Sequence, residues 1–359
     1  MTLIEQLDNI QMHFVVGMPR AGTNLLRMIL NRNPIVNCTS EVKFPMVFYK
    51  EYAHQNPVSP QIIIKFKKFY AKWINIDHTL PAKTTYSKFD AANFLQVAEQ
   101  NIDKLSYEQL CKLMLLHVKG DEKKINDIRI IVNKNPVFLF SIPELLTIFP
   151  DAKFVVTIRD YRAFYLSFKQ SKDQSAFTRF LSNSCASISQ YWLIQMETIK
   201  QYQKKYPKQL FLLPYERLTT DKENSIKEMC SFLDIPFDSA MLSHEEIAVE
   251  PIYDTADERA KKKQGDLTKS INTNRIAAWK KGLSPNEIAL SEMICGQLGS
   301  EFGYAPTQKL SVSKTFFLRF TQLPIQIISQ ISYTIFTQNY YRLPFKIRFG
   351  LQKYFKFTQ

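Results

Sequence analysis

Near the start of the chain, a short apolar run leads into a loop bracketed by two glycines, in the stretch HFVVGMPRAGTNLLRMILNRNP at residues 13–34. Gly17 and Gly22 enclose four residues, which is the spacing of loops that hold a phosphate group between a strand and a helix. An ATPase or GTPase loop continues with a lysine and a hydroxyl residue. This chain continues with Thr23 and Asn24 instead. The loop therefore predicts a strand–loop–helix unit that holds an anion other than a nucleoside triphosphate.

Other short apolar runs also end in polar residues, and helical patterns separate them. They read IRIIV, KFVVTI and QLFLLP, at residues 128–132, 153–158 and 209–214. Strands that alternate with helices in this way are typical of a parallel sheet with crossover helices. We therefore predict an α/β fold in which helices flank a parallel central sheet. In such sheets the ligand binds beyond the carboxyl ends of the strands.

Two places at these predicted strand ends carry groups that favour anions. Backbone N–H groups of residues 20–24 would point outward at a helix N-terminus, and Arg20 adds a forked donor for phosphate oxygens. Arg159 follows a neighbouring strand, and Ser167 lies about two helical turns further on. Two anion sites on one sheet, without a triphosphate-type lysine, indicate a nucleotide that carries phosphates at two positions.

These motifs, taken together, resemble those of the sulfotransferases. GMPRAGTNLL is similar to the family's 5′-phosphosulfate loop, and TIRDYRAFYLS is similar to its 3′-phosphate motif. NKNP, PYERLTTD, CSFLDIPFD and NRIAAWKKGLS also match, in the family's order, so that the resemblance covers roughly residues 12–304. It implies a P-loop-like sulfotransferase fold, 3′-phosphoadenosine 5′-phosphosulfate (PAPS) as the donor, and transfer of its sulfuryl group to an acceptor oxygen or nitrogen.

The resemblance also implies which residues of this chain hold the donor. The full set is Arg20, Ala21, Gly22, Thr23, Asn24, Arg159, Ser167, Tyr215, Ser270 and Arg275. The loop residues would surround the 5′ end, and Arg159 with Ser167 would hold the 3′-phosphate. Tyr215 would touch the adenine, and Ser270 or Arg275 would close over the donor from the C-terminal segment.

Departures from the family's common pattern indicate which residue accepts the proton. Cytosolic small-molecule sulfotransferases use a histidine where this chain has Pro136. Enzymes of the tyrosylprotein and heparan types instead use a glutamate after the loop helix, and Glu41 stands there in NPIVNCTSEVKFP. The resemblance therefore implies Glu41 as the general base. Arg20 and Lys134 are the cations that we expect on the leaving oxygen of an in-line transfer. We expect no metal, because no metal-binding motif is present.

The positive charge of the chain is concentrated at its C-terminal end. The net charge is +14, and residues 305–359 hold eight Lys and Arg without any acid. We predict a catalytic domain over residues 1–305, with a helical insertion at about 44–127, and a basic, aromatic extension over 306–359. No run in this tail reaches the roughly 18–20 apolar residues of a spanning helix. Two interpretations of the tail stay open. It lies in an anionic membrane interface, or it is a helical extension packed on the domain.

The sequence leaves the acceptor and two other classes of function open. Protein tyrosine, sugar, steroid and lipid hydroxyls all fit as acceptors, and a membrane-bound tail favours a lipid or steroid. A P-loop kinase or NTPase is one alternative, and a non-catalytic protein that binds membrane or nucleic acid through its tail is another, although we expect no nucleic-acid partner. The N-terminal residues do not resemble an export signal, and the five cysteines lack a C-x-x-C pair. We therefore expect a cytoplasmic protein, peripheral on the inner face of the membrane if the tail binds lipid.

Overall fold

A computed structural model describes residues 2–76, 89–118, 125–170, 184–243, 273–308 and 323–331. Within these ranges five parallel strands form one sheet in the order β2-β3-β1-β4-β5. The strands are β1 Gln11–Gly17, β2 Val36–Ser40, β3 Ile130–Lys134, β4 Phe154–Ile158 and β5 Leu210–Pro214. This arrangement confirms the predicted α/β fold with a parallel central sheet.

Helices connect the strands and continue beyond the last one. The helix α1 Leu3–Asp8 precedes the sheet. Those between β1 and β3 are α2 Thr23–Asn31, α3 Phe44–Val47, α4 Tyr49–Tyr52, α5 Gln61–Ile76, α6 Ala91–Asn101 and α7 Tyr107–Leu116. Those after β3 are α8 Ile142–Ile148, α9 Tyr161–Lys169, α10 Cys185–Lys205, α11 Tyr215–Thr220, α12 Lys222–Leu233, α13 Trp279–Gly282 and α14 Pro285–Glu301. Short 3₁₀ turns occupy Ile125–Asp127, Pro136–Ser141, Ser239–Leu242 and Thr273–Arg275, and residues 323–331 are helical.

The central strand β1 is buried on both faces, which explains its almost continuous apolar sequence. Because successive side chains of a strand point to opposite faces, Phe14 and Val16 belong to the larger apolar core and Val15 to the smaller one. The smaller core also contains Leu26 and Ile29 of α2. The loop after β1 is therefore held between a buried strand and a buried helix.

Of the five strands, β2 is the one that the apolar runs did not indicate. Its sequence, VNCTS, is largely polar, yet Asn37 and Thr39 are buried. The Nδ2 of Asn37 donates to the carbonyl of Leu115, and the Thr39 hydroxyl donates to Asn133. Partners distant in sequence therefore satisfy the polar groups of this edge strand.

The segment between β2 and β3 contains the helices α3 to α7, so the predicted insertion is helical where it is described. Its interior is aromatic, since Phe44, Phe66 and Phe94 are buried and meet in edge-to-face pairs. Among the described residues, no helix combines the length and the apolar character needed to cross a membrane.

Candidate active site

The loop after β1 depends on two glycines in the left-handed region. Gly17 has φ of 109°, and a Cβ there would lie 2.4 Å from the carbonyl oxygen of Thr157 on β4. Gly22 has φ of 82° and precedes the first turn of α2. A Cβ on Gly22 would lie 2.9 Å from the Tyr215 ring. The loop thus passes close to β4 and to the start of α11, which only glycine allows at these two positions.

The first turn of α2 is open toward an anion. In the described part of the chain no side chain caps this turn, because its N-cap is Gly22. The side chains of Ala21 and Thr23 are buried, whereas Asn24 is exposed. Uncapped N–H groups at a helix N-terminus carry a partial positive charge and bind anions well.

The structure brings together the two anion sites that the sequence predicts separately. The Nε of Arg20 donates a 3.1 Å hydrogen bond to the hydroxyl of Ser167 on α9. A guanidinium nitrogen of Arg159 donates to the carbonyl of Arg20 at 2.8 Å. Arg20 itself has a left-handed backbone, with φ of 69°. The loop, the end of β4 and α9 therefore meet at one point.

Arg159 lies where the loop, the end of β4 and α9 meet, and it is buried. Its guanidinium carbon lies 4.3 Å from the centre of the Tyr215 ring, and its other terminal nitrogen donates to the carbonyl of Arg275. Burial lowers the pKa of Arg159, while Tyr215 and Glu216 act in the opposite direction, and the group remains charged because arginine does not lose its proton in proteins. Among the described residues, its Nε finds no acceptor. A buried cation with an unused donor is the chemistry of a phosphate site.

Glu41 and Lys134 form a second charged group at the ends of β2 and β3. The Nζ of Lys134 lies 2.6 Å from Oε1 of Glu41, and Lys134 is almost completely buried. Burial of the carboxyl works to raise the pKa of Glu41, but the charge and the hydrogen bond of Lys134, with Lys43 and Arg27, hold the pKa below its usual value. The carboxylate is thus kept ionised beside a cation.

A buried network that sequence reasoning missed supports the end of β4. Glu216 accepts hydrogen bonds from the backbone N–H of Asp160 at 3.1 Å and from the hydroxyl of Tyr304 at 3.0 Å, and burial raises its pKa. Trp192 of α10 donates to the carbonyl of Arg159 at 2.8 Å. Glu216 stands directly after Tyr215 in a motif already noted, which is the one sequence signal that could have indicated it.

Arg162 extends this network to the C-terminal part of the chain. It pairs with Asp160 at 2.7 Å and with Glu292 of α14 at 2.8 Å, and its guanidinium lies 4.1 Å from the centre of the Trp279 ring. Glu292 also accepts from the backbone N–H and the hydroxyl of Thr307, at 2.8 Å and 2.7 Å, and from a further backbone N–H at residue 308. The segment after α14 is therefore joined to the helix that carries Ser167.

Of the two residues predicted to close over the donor from the C-terminal segment, the structure describes only Arg275. Ser270 lies outside the described residues. Arg275 is at the site, where its carbonyl oxygen accepts a hydrogen bond from Arg159. Within the described ranges, no three His, Cys, Asp or Glu side chains are grouped so that they could hold a metal ion.

Comparisons with known proteins agree with this geometry. A family model described as "Sulfotransferase family" matches residues 13–239, well over half of the chain. Protein-tyrosine sulfotransferase 1 of Danio rerio is 24% identical over 293 residues, which cover 82% of this chain and 72% of that protein. Protein-tyrosine sulfotransferase of Drosophila melanogaster is 24% identical over 294 residues, and the chain spans about half of its length, 51%.

Among solved structures, the sulfotransferase domain of the Synechococcus PCC 7002 olefin synthase has the same fold. It superposes with a TM-score of 0.54 at 16% identity, covering 84% of this chain and 97% of that domain. The resemblance inferred from the motifs and the predicted enzyme class, a PAPS-dependent sulfotransferase, are confirmed, and the chain belongs to the sulfotransferase family.

Proposed function

We propose that this enzyme transfers the sulfuryl group of PAPS to a hydroxyl or amine acceptor, with Glu41 as the general base. The observation that carries the proposal is the junction at Arg20, which joins the loop to Ser167 by its side chain and to Arg159 by its carbonyl. A donor with phosphates at its 5′ and 3′ positions needs two anion sites on one sheet, and this junction, which joins residues proposed for both, supports the proposal.

The residues present fit such a donor. The 5′ end would lie against the uncapped first turn of α2, where the loop glycines leave room for close approach of the backbone. The 3′-phosphate would be held by Ser167 and by Arg159, whose buried Nε has no acceptor among the described residues. Tyr215, stacked on Arg159, would contact the adenine.

The pair of Glu41 and Lys134 supplies the chemistry of transfer. As the bond from the acceptor oxygen to sulfur forms and the bond from sulfur to the bridging oxygen breaks, negative charge builds on that bridging oxygen. Lys134 and Arg20 would stabilise this charge, and Glu41 would take the proton of the acceptor hydroxyl. General-base catalysis of this kind contributes roughly 10²–10⁴ in rate.

We propose the acceptor at the level of a hydroxyl-bearing molecule, with two classes to compare. The names of the zebrafish and fruit-fly relatives specify protein tyrosine, which makes a tyrosine-containing peptide the first class. The basic tail makes a lipid or steroid alcohol the second class. Transfer from radiolabelled PAPS into each class, and into cell extracts with the products identified by mass, would distinguish them.

The competing function is phosphoryl transfer from ATP on a similar core. Calorimetric titration with PAPS and with ATP in parallel tests it, and we expect binding of PAPS alone, because the loop lacks the lysine that holds a triphosphate. Tight ATP binding without PAPS binding would contradict the proposal. Binding of neither nucleotide would favour a non-catalytic role for the chain.

A further inference from the structure

Residues 323–331 form a helical segment, here called the tail segment, whose polar side faces the rest of the protein. Ser329 is fully buried, and its hydroxyl donates to that of Ser187 on α10 at 3.0 Å. Gln330, half-buried, accepts a hydrogen bond from the side-chain amide of Gln190 on the same helix. Polar contacts therefore attach this segment to α10.

The apolar side of the tail segment faces outward. Five side chains in it are between 38% and 55% exposed, namely Leu323, Ile325, Ile327, Ile328 and Ile331. In the rest of the described chain, the large apolar side chains with comparable exposure are Ile64 and Ile125. A surface helix in water normally turns its apolar side inward. This segment does the reverse, so its outer face suits an apolar environment.

The charge of the surrounding sequence indicates which apolar environment fits. Residues 305–359 contain eight Lys and Arg and no acid. An apolar strip within a purely basic sequence complements the interface of an anionic bilayer, where rings and aliphatic side chains enter the headgroup region and cations meet lipid phosphates. The nine described helical residues rise only about 14 Å, against about 30 Å for a hydrocarbon core, so the segment suits lying in the interface.

We propose that the tail segment is a membrane-docking surface that lies in the interface of an anionic phospholipid bilayer. It would hold the catalytic unit through α10, which contacts the tail segment by Ser187 and Gln190 and contacts the donor site by Trp192. One helix therefore connects the docking surface to Arg159. This surface is independent of the chemistry proposed above, since vesicle binding needs neither donor nor acceptor.

Sedimentation of the full chain with vesicles tests the proposal. The vesicles would contain phosphatidylcholine alone or with phosphatidylserine, at low and high salt. We expect the wild-type chain to bind the anionic vesicles, and binding to weaken with salt because exposed charges are screened. The triple variant Ile327→Gln/Ile328→Gln/Ile331→Gln should bind at least about tenfold more weakly. Ile64→Gln, which changes an equally exposed isoleucine on α5, should bind like the wild type.

A second variant keeps the test decisive if the triple variant folds poorly. Lys346→Gln/Arg348→Gln/Lys353→Gln leaves every apolar side chain in place, and it should lose most of the salt-sensitive part of the binding. Circular dichroism and PAPS affinity would check the fold of each variant. The proposal is overturned if the wild type does not bind anionic vesicles, or if a well-folded triple variant binds as well as the wild type. It is also overturned if the wild type forms dimers that the triple variant lacks and binds no vesicles, because a second copy would then cover the face.

Discussion

Lys134 and Glu41 meet at 2.6 Å because Glu41 adopts a left-handed backbone directly after β2. Ser40 is the register partner of Lys134 in the sheet, and Glu41, with φ of 53°, turns its N–H to the carbonyl of Lys134. A non-glycine residue in this region costs about 1 kcal/mol or more. The same turn directs the carboxylate to the Lys134 ammonium, so backbone strain accompanies the formation of the charged pair.

Replacing Glu41 by glutamine tests its role as the base. Glu41→Gln keeps the shape of the side chain and removes the proton acceptor, so we expect turnover to fall by roughly 10²–10⁴ while PAPS affinity is retained. Steady-state kinetics and calorimetry would measure the two quantities. Glu51→Gln, which changes an exposed glutamate on α4 paired with Lys65, is the control. Near-normal turnover in Glu41→Gln would show that another group takes the proton.

The pH dependence of the rate should report the partner of Glu41. Lys134 holds the pKa of Glu41 below its ordinary value of 4.5 in the donor-free protein, so the carboxylate stays ionised until the pH falls below that value. The acid limb of kcat/KM, which reports the free enzyme, should therefore lie below pH 4.5. If Lys134 turns to the donor in the complex, the acid limb of kcat should lie at higher pH. Coincident limbs would indicate that the pair persists during turnover.

Removing Arg159 should weaken donor binding. Arg159→Ala deletes a charge-assisted hydrogen bond worth about 1.5–3 kcal/mol, which corresponds to roughly ten- to a hundredfold in PAPS affinity. Ser167→Ala should act in the same direction but less strongly, and Arg217→Ala, at an exposed arginine paired with Glu228, should have no effect. Unchanged affinity in a folded Arg159→Ala protein would exclude the model of two anion sites.

A methyl group at Gly17 should distort the loop. Gly17→Ala would place its Cβ 2.4 Å from the Thr157 carbonyl oxygen, at φ of 109°, and we expect unfolding free energy to fall by more than about 2 kcal/mol. Gly303→Ala is a matched control, because Gly303 also has positive φ, 85°, but an added Cβ would meet no atom within 4 Å. Denaturant titration would compare the two variants, and equal losses would mean that backbone conformation alone accounts for the effect.

His13 should make the fold sensitive to mild acid. Burial and the nearby Lys153 lower the pKa of its ring from 6.5 to about 4, and its Nδ1 accepts a hydrogen bond from the Lys153 backbone N–H. Because the unfolded chain binds this proton first, stability should be complete above pH 6.5 and fall by about 3 kcal/mol as the pH drops toward 4. His13→Asn should flatten this decline, whereas His54→Asn, at an exposed position, should keep it. An unchanged decline in His13→Asn would assign the effect to other groups.

Sequence patterns predicted four of the five strands but not β2, which lies at one edge of the sheet. β1, β3 and β4 contain apolar runs because they are buried, and β5, which is only partly buried, contains an apolar run as well. The strand β2 escaped detection, because its buried Asn37 and Thr39 depend on partners from α7 and β3 that no local pattern reveals.

At the site, too, local motifs indicated single residues, whereas the contacts between those residues depend on parts of the chain distant in sequence. Motif order indicated Glu41 and Lys134 as separate candidates, but their pairing depends on one left-handed residue and on strand register. The hydrogen bonds of Trp192 to the Arg159 carbonyl and of Glu216 to the Asp160 N–H likewise arise from tertiary packing.

The buried carboxylate of Glu292 has a practical consequence for shortening the chain. A cut at the predicted boundary between residues 305 and 306 would remove the Thr307 hydroxyl and two backbone N–H groups that this carboxylate accepts from. Arg162 would then be its main remaining donor, and loss of partners for a buried charge is strongly destabilising. A truncated protein for crystallisation or for assays without the tail should therefore end after Gln308, so that Thr307 and Gln308 keep their hydrogen bonds to Glu292 of α14.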